Sequence, residues 1–237
     1  MPHRIHQRTN ISLSAQSLLA AVLMLFLTGC YSVPFEQPRL TPLNDEISPE
    51  ETVKDFQERL PERFVAENTL VFRFLRNQLA ALGYAKIDRD EGTFEVLCLN
   101  HLGVRLFHIS GDKEGNHHLR YAIPQLKEIP NFADNVGEDI REIYFNLLPG
   151  PEAEAHREWR RLVFREKKGS RRVDYLFGGT DNNLIEKRIY RNNRIQRIIS
   201  FYEYTSGNDF IFPKGVVLHN PRYRYRLILS SRDVTNE

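Results

Sequence analysis

The sequence predicts a mainly β protein: a strongly curved antiparallel sheet, or incomplete β-barrel, with a helical lid over its mouth. Three observations lead there. Apolar and polar side chains alternate through residues 93–123 and again through 159–229. Short Gly, Asn and Asp clusters cut both stretches into hairpins. Only two segments combine helical spacing with helix-start chemistry.

The chain begins with a leader. Arg4 and Arg8 precede the apolar run Ala15–Leu27, which ends in Leu27-Thr28-Gly29-Cys30. A basic start, a short apolar run and small residues make a secretory signal over residues 1–29. The run is shorter than the ~20 residues that a spanning helix needs. Leu-Thr-Gly-Cys looks like a bacterial lipobox, in which Cys30 is acylated and the chain is cut before it. Residues 30–48, with prolines at 34, 38 and 42, then read as a flexible tether carrying the lipidated Cys30. A single domain is expected over 49–235.

Within that domain, Ser48-Pro49-Glu50-Glu51 starts a helix that Pro61 ends. Residues 68–82 fit either a strand, by alternation of Leu70, Phe72 and Phe74, or a helix, by the face Leu70, Phe74, Leu75, Gln78, Leu79 and Leu82; the strands that follow favour the strand. Short strands follow at 84–88, 93–99, 104–109 and 119–123. A second helix is expected at about 136–148, from the spacing of Val136, Ile140, Ile143, Tyr144 and Leu147. Strands resume at 159–164, 171–178, 184–190, 194–204 and 216–219. In the last strand Tyr223, Tyr225, Leu227 and Leu229 face one way, and Arg222, Arg224 and Arg226 the other. No internal repeat interrupts this order.

Removing the 29 leader residues from 237 leaves 208, enough for one domain with a real core. Arg4 and Arg8 go with the leader, so Lys+Arg falls from 33 to 31, against 31 Asp+Glu. A net charge near zero argues for no nucleic-acid partner and implies no strong attraction to anionic head groups. With Cys30 consumed by lipid, Cys98 is the single remaining thiol, which excludes a disulfide framework and a zinc ribbon.

No catalytic, cofactor or metal pattern emerges, and the chain reads as a non-enzyme. Gly-x-Ser-x-Gly, His-Glu-x-x-His and Gly-rich phosphate loops are all missing from the sequence. His117 and His118 are adjacent, so on a strand they point to opposite faces and make a poor chelate. His101, His108, Ser110, Asp112 and His156 need no explanation beyond loops and turns. The Arg222, Arg224 and Arg226 stripe is either the wet face of an amphipathic strand or a contact for phosphates or an acidic partner.

Two features stand out. Phe94, Val96, Val104, Leu106, Tyr121, Val173, Tyr175, Phe177, Ile199, Phe201, Tyr223, Tyr225 and Leu227 lie on single strand faces. A sheet curling around them makes either a packed core or an apolar cavity. The second feature is Leu102, a large apolar residue at the tip of a tight hairpin, either folded back or projecting.

The lipobox, the strand–Asn-x-Leu-Gly–strand unit at 94–109, the mid-chain helix ending in Leu-Leu-Pro, the Phe212-Pro213 step and the final Tyr-x-Tyr-x-Leu-x-Leu strand together resemble the LolA/LolB-like outer-membrane lipoproteins. The chain is similar in particular to a branch of domain-of-unknown-function lipoproteins related to LolB. The resemblance covers about residues 69–231, in order of elements more than in identities. It implies an incomplete barrel with a helical lid and a cavity for acyl chains. In LolB a Leu on a protruding hairpin assists delivery of lipoproteins into the membrane, a role that would fall on Leu102 as a membrane-insertion loop. His101 stands where a Pro is more familiar, and the stretches 110–118 and 165–171 are insertions.

Function is therefore expected at the outer membrane, lipid-anchored and facing the periplasm, since Tyr31 replaces the Asp that retains lipoproteins at the inner membrane. The expected partners are an acyl chain such as palmitate, a lipidated protein, the membrane itself and a periplasmic carrier protein. The alternative is a solid-core accessory lipoprotein of an envelope assembly.

Overall fold

The computed structural model describes residues 33–43, 48–75, 77–206 and 210–236. Cys30 and the leader lie outside the described residues, as does Tyr31. Phe35–Glu237 forms one compact unit, separate from Met1–Pro34. Among the described residues no helix is long and apolar enough to cross a membrane.

Among the described residues twelve strands form one antiparallel sheet. The first five are β1 (Arg63–Phe74), β2 (Asn77–Asp88), β3 (Thr93–Leu99), β4 (Arg105–Gly111) and β5 (His117–Ala122). The rest are β6 (Glu154–Glu158), β7 (Arg161–Lys168), β8 (Arg171–Gly178), β9 (Asn183–Arg191), β10 (Arg194–Ser206), β11 (Ile211–Asn220) and β12 (Tyr225–Asn236). The order is β5-β4-β3-β2-β1-β12-β11-β10-β9-β8-β7-β6. Every neighbour is also a sequence neighbour except β1 and β12, the first and last strands, which meet in the middle. Both ends of this order are free edges, so the sheet is not closed. Register shifts at Glu67/Asn68, Cys98/Leu99, His108/Ile109, Leu176/Phe177 and Ile195/Arg197 bend the strands.

The topology dictates where the lid must be. β5 lies at one edge and β6 at the other, so the chain between them has to cross the sheet. That crossing carries α2 (Pro124–Lys127) and α3 (Phe132–Tyr144). The remaining helix, α1 (Pro49–Glu58), begins as the sequence predicts, with Ser48 Oγ accepting from Glu51 N–H and Pro at the first turn.

The concave face holds the core. Phe64, Ile87, Phe94, Ile109, Phe177, Ile199, Phe201 and Leu218 are buried there, and Ile140, Ile143 and Tyr144 of α3 pack onto them. Phe56 of α1 sits edge-on to Phe177 and Tyr204 at centroid distances of 5.3 and 6.1 Å. At the sheet's centre Phe64 meets Tyr144 and Phe212 in the same way.

Several boundaries differ from the sequence reading. Of the two readings of 68–82, strand holds over 68–74 and 77–82, which belong to the long hairpin β1–β2. The helix-forming stretch Asn77–Leu82 is held extended because β1 pairs with it along its whole length. α3 starts four residues earlier than expected, after Asn131 in the left-handed region at φ 53°, and ends at Tyr144. Leu147 and Leu148 then pack against the core as loop. Tyr223 belongs to a turn, and the last strand begins at Tyr225. Part of the expected tether is bound to the sheet. Phe35 stacks on Tyr202 at 5.4 Å, over Gly215, where a Cβ would come within 2.5 Å of the ring. Leu43 N–H then donates to Trp159 O at 2.9 Å.

Candidate functional site

α3 presents an acidic and an apolar set to the concave face together. Asp139 and Glu142 are buried beside Ile140 and Ile143. Each acid meets a cation from the sheet. Lys187, fully buried on β9, donates to Glu142 Oε2 at 2.6 Å, Glu142 O at 2.6 Å and Asn146 O at 2.8 Å. An ammonium has three donors, and all three are matched. Arg171 reaches Glu142 Oε1 at 3.0 Å. Burial opposes ionisation of Glu142, but Lys187 and Arg171 outweigh it and hold its pKa below the ordinary value.

One turn earlier, Arg197 spans Asp139 at 2.9 Å and Glu138 at 2.7 Å. Tyr225 O–H donates to Asp139. Here burial wins: the Asp139 pKa is pushed up to about 6 despite Arg197. The lid is thus fixed to the sheet by apolar packing plus two ionic clasps. Sequence reading missed Lys187, Arg197, Asp139 and Glu142. A signal existed in α3, because Asp139 lies on the same face as Val136, Ile140 and Ile143.

Beneath the lid's C-terminal end is a cavity of about 20 Å³, lined by Leu60, Phe64, Ile143, Tyr144, Leu147, Phe201, Tyr204, Ile211 and Phe212 among others. That holds about one water-sized sphere and no alkyl chain. The expected lining residues are distributed differently. Phe201 alone borders this cavity. Phe94, Val96, Val173, Tyr175, Phe177 and Ile199 are buried in the core around it, with Tyr225 and Leu227 half-buried against it. Leu106 belongs to a smaller cluster with Ala81 and Cys98. Val104, Tyr121 and Tyr223 are exposed.

Leu102 is 75% exposed at the β3–β4 tip. The tip is braced by Asn100, whose Oδ1 accepts from Leu102 N–H and Val104 N–H, both at 2.9 Å. Gly103 completes the turn at φ 78°, where a side chain would be strained. Asn100 therefore supplies the stiffness that a proline at 101 would have given.

Of the polar residues noted in the sequence, Asp112 and His118 meet, and Ser110 turns instead to Arg120. His108 meets Glu95 at 2.6 Å, His118 meets Asp112 at 3.2 Å and His117 meets Asp134 at 3.4 Å. His156 lies 3.7 Å from Glu154, and Ser110 Oγ accepts from Arg120. Among the described residues no group of three or more His, Cys, Asp or Glu could hold a metal. Cys98 is buried, and burial pushes its thiol pKa up to about 12, so it is unreactive at neutral pH.

No family model and no curated protein matches this chain. Solved structures do. A LolA superfamily protein from Nitrosomonas europaea superposes with a TM-score of 0.52 over 81% of this chain and 94% of its own, at 6% identity. The chain has a LolA-like fold. A domain described as an outer-membrane lipoprotein-sorting protein, from Vibrio parahaemolyticus, gives a TM-score of 0.48 at 11% identity, covering 78% of this chain and 90% of that one. A DUF1329 family protein from Desulfovibrio piger gives 0.49 at 10% identity, covering 79% and 91%.

Proposed function

We propose that this protein is a non-enzymatic envelope lipoprotein that takes an acyl chain, or the lipid of a lipidated partner, between its concave sheet face and α3, and helps pass it into the outer membrane. Cys30 would carry the anchor, and Leu102 would enter the bilayer. The observation that carries the reading is the lid: an apolar concave face closed by one crossing helix whose clasps are ionic. Ionic clasps exchange for water at low cost when they open, whereas a purely apolar seam does not. The LolA-like fold and the braced, exposed Leu102 support the same reading. In the closed form the 20 Å³ cavity accepts no ligand, so uptake requires α3 to move.

Native mass spectrometry of the full chain, followed by organic extraction, tests this. Co-purifying acyl lipid, or uptake of a fluorescent fatty acid that rises in Lys187→Met, is the expected result. No lipid and no uptake in either protein would leave the second reading. That reading, a solid-core accessory lipoprotein, is favoured by the small cavity and predicts one dominant cross-linked protein partner in membranes.

A further inference from the structure

In an antiparallel meander, alternate turns fall at the same end of the sheet. Pairing of Phe74 with Tyr225 sets the β1–β2 tip beside the β11–β12 turn. Pairing of Leu82 with Leu99 puts the β3–β4 tip on the other flank of the same end. The β9–β10 and β7–β8 turns follow along the same rim. This rim holds the sequences Arg73–Gln78, Asn100–Arg105, Pro221–Arg226, Arg191–Arg194 and Lys168–Arg171, which contain no Asp or Glu. The opposite rim holds Asp88–Gly92, Asp112–Asn116, Gly179–Asn182 and Glu158–Arg161, each with at least one acid, and the last also carries Arg160 and the exposed Trp159.

The acid-free rim also carries exposed apolar side chains. Leu75 is 63% exposed at the tip, at φ 54°, an unusual conformation for leucine. Leu102 and Tyr223 project from the tips on either side. Arg105, Arg222 and Arg224 are exposed among them, with Arg222 lying 5.1 Å over the Tyr223 ring. Apolar tips ringed by arginines, without acids, match an interface where acyl chains lie below phosphates.

We propose that this rim is a docking surface for an anionic phospholipid bilayer, with Leu75, Leu102 and Tyr223 in the interface and Arg105, Arg222 and Arg224 on head-group phosphates. It rests on the reading of the protein as a membrane-delivery factor, but it extends the contact from one leucine to three hairpins and gives the membrane a charge. The near-zero net charge conceals this, because acids on the opposite rim and elsewhere in the chain offset it.

The test uses the full chain reconstituted into vesicles, with a fluorophore on His101→Cys or Asn77→Cys at one rim and Glu114→Cys or Asp181→Cys at the other. Native Cys98 is buried and Cys30, by the same reading, is blocked by its lipid, so neither competes. Collisional quenching by aqueous iodide reads out depth. On vesicles containing phosphatidylglycerol, quenching at positions 77 and 101 should fall about fivefold, and quenching at 114 and 181 should stay as in solution. High salt, pure phosphatidylcholine, or the triple change Arg105→Ala, Arg222→Ala and Arg224→Ala should restore it, with circular dichroism confirming that the triple variant is folded. Equal quenching at both rims, or protection that is the same on neutral vesicles, overturns the proposal. Lipid extraction is independent of it: failure here with lipid found in the groove breaks the docking surface and leaves the carrier reading standing.

Discussion

The two rims of the sheet are built from the same meander, yet they are chemically opposite. The turns of one gather arginines with exposed leucine and tyrosine and hold no acid; those of the other mix aspartate and glutamate with fewer cations and one exposed tryptophan, Trp159. The difference teaches that composition is a poor guide to surface charge in a hairpin protein. Successive turns go to opposite ends, so a chain balanced along its length can be strongly polarised across its width. The basic rim also differs in depth. Its outer cations are exposed, while the cations further in, Lys187 and Arg197, are neutralised by α3.

That contrast can be broken at its inner layer first. Lys187→Met leaves Glu142 buried without its main partner and should cost about 3–5 kcal/mol in equilibrium urea unfolding. The double change Lys187→Met with Glu142→Leu should recover most of that, and failure to recover would mean that the clasp is not what Lys187 contributes.

Asp139 gives the next effect. Its folded pKa of about 6 exceeds the ordinary 3.8, so the folded state binds the proton more tightly than the unfolded state. Its contribution is fully present below pH 3.8 and is lost as pH rises through about 6. Asp139→Asn should remove that slope from a plot of unfolding free energy against pH, and the change across the window should be on the order of 2–3 kcal/mol. An unchanged slope would show that folding does not shift the Asp139 pKa, and a slope steepened in the same direction would show that Arg197 and Tyr225 hold it ionised.

Filling the space over Gly215 comes third. Gly215→Val should expel the Phe35 ring from Tyr202 and cost about 1–3 kcal/mol, with faster proteolysis of the 35–43 segment. The smallest stability effect belongs to the outer layer. Leu102→Ser and Asp90→Lys should each shift unfolding by less than about 0.5 kcal/mol, since both sites are exposed. Only Leu102→Ser should weaken vesicle association, and equal effects of the two on binding would erase the distinction between the rims.

The sequence made much of the sheet legible, because strands such as Thr93–Leu99 and Arg171–Gly178 alternate cleanly between turns. It was least informative where tertiary pairing overrides local preference. Residues 68–82 fit a strand or a helix by sequence, and pairing decides for strand over Asn77–Leu82, since β1 pairs along it and β3 joins it at Leu82. The burial of Lys187 was invisible for another reason. On β9 it is one polar residue in an alternating run, and its partner Glu142 lies 45 positions away. Leu102 was legible as an oddity at a turn, and only the backbone shows that Asn100 braces it. The shared rim was the most recoverable omission, because hairpin parity alone places those turns together.

The open sheet has a further consequence at its sides. A barrel would have no free strand, but here β6 is left with one flank unpaired. Every residue of β6 is exposed, and its sequence Glu-Ala-His-Arg-Glu is mostly charged. Such a strand is a poor template for another chain, since a second copy would bring like charges into register. The protein keeps the gap that its crossing helix requires, and it guards the exposed margin against self-stacking with charged, solvent-facing side chains.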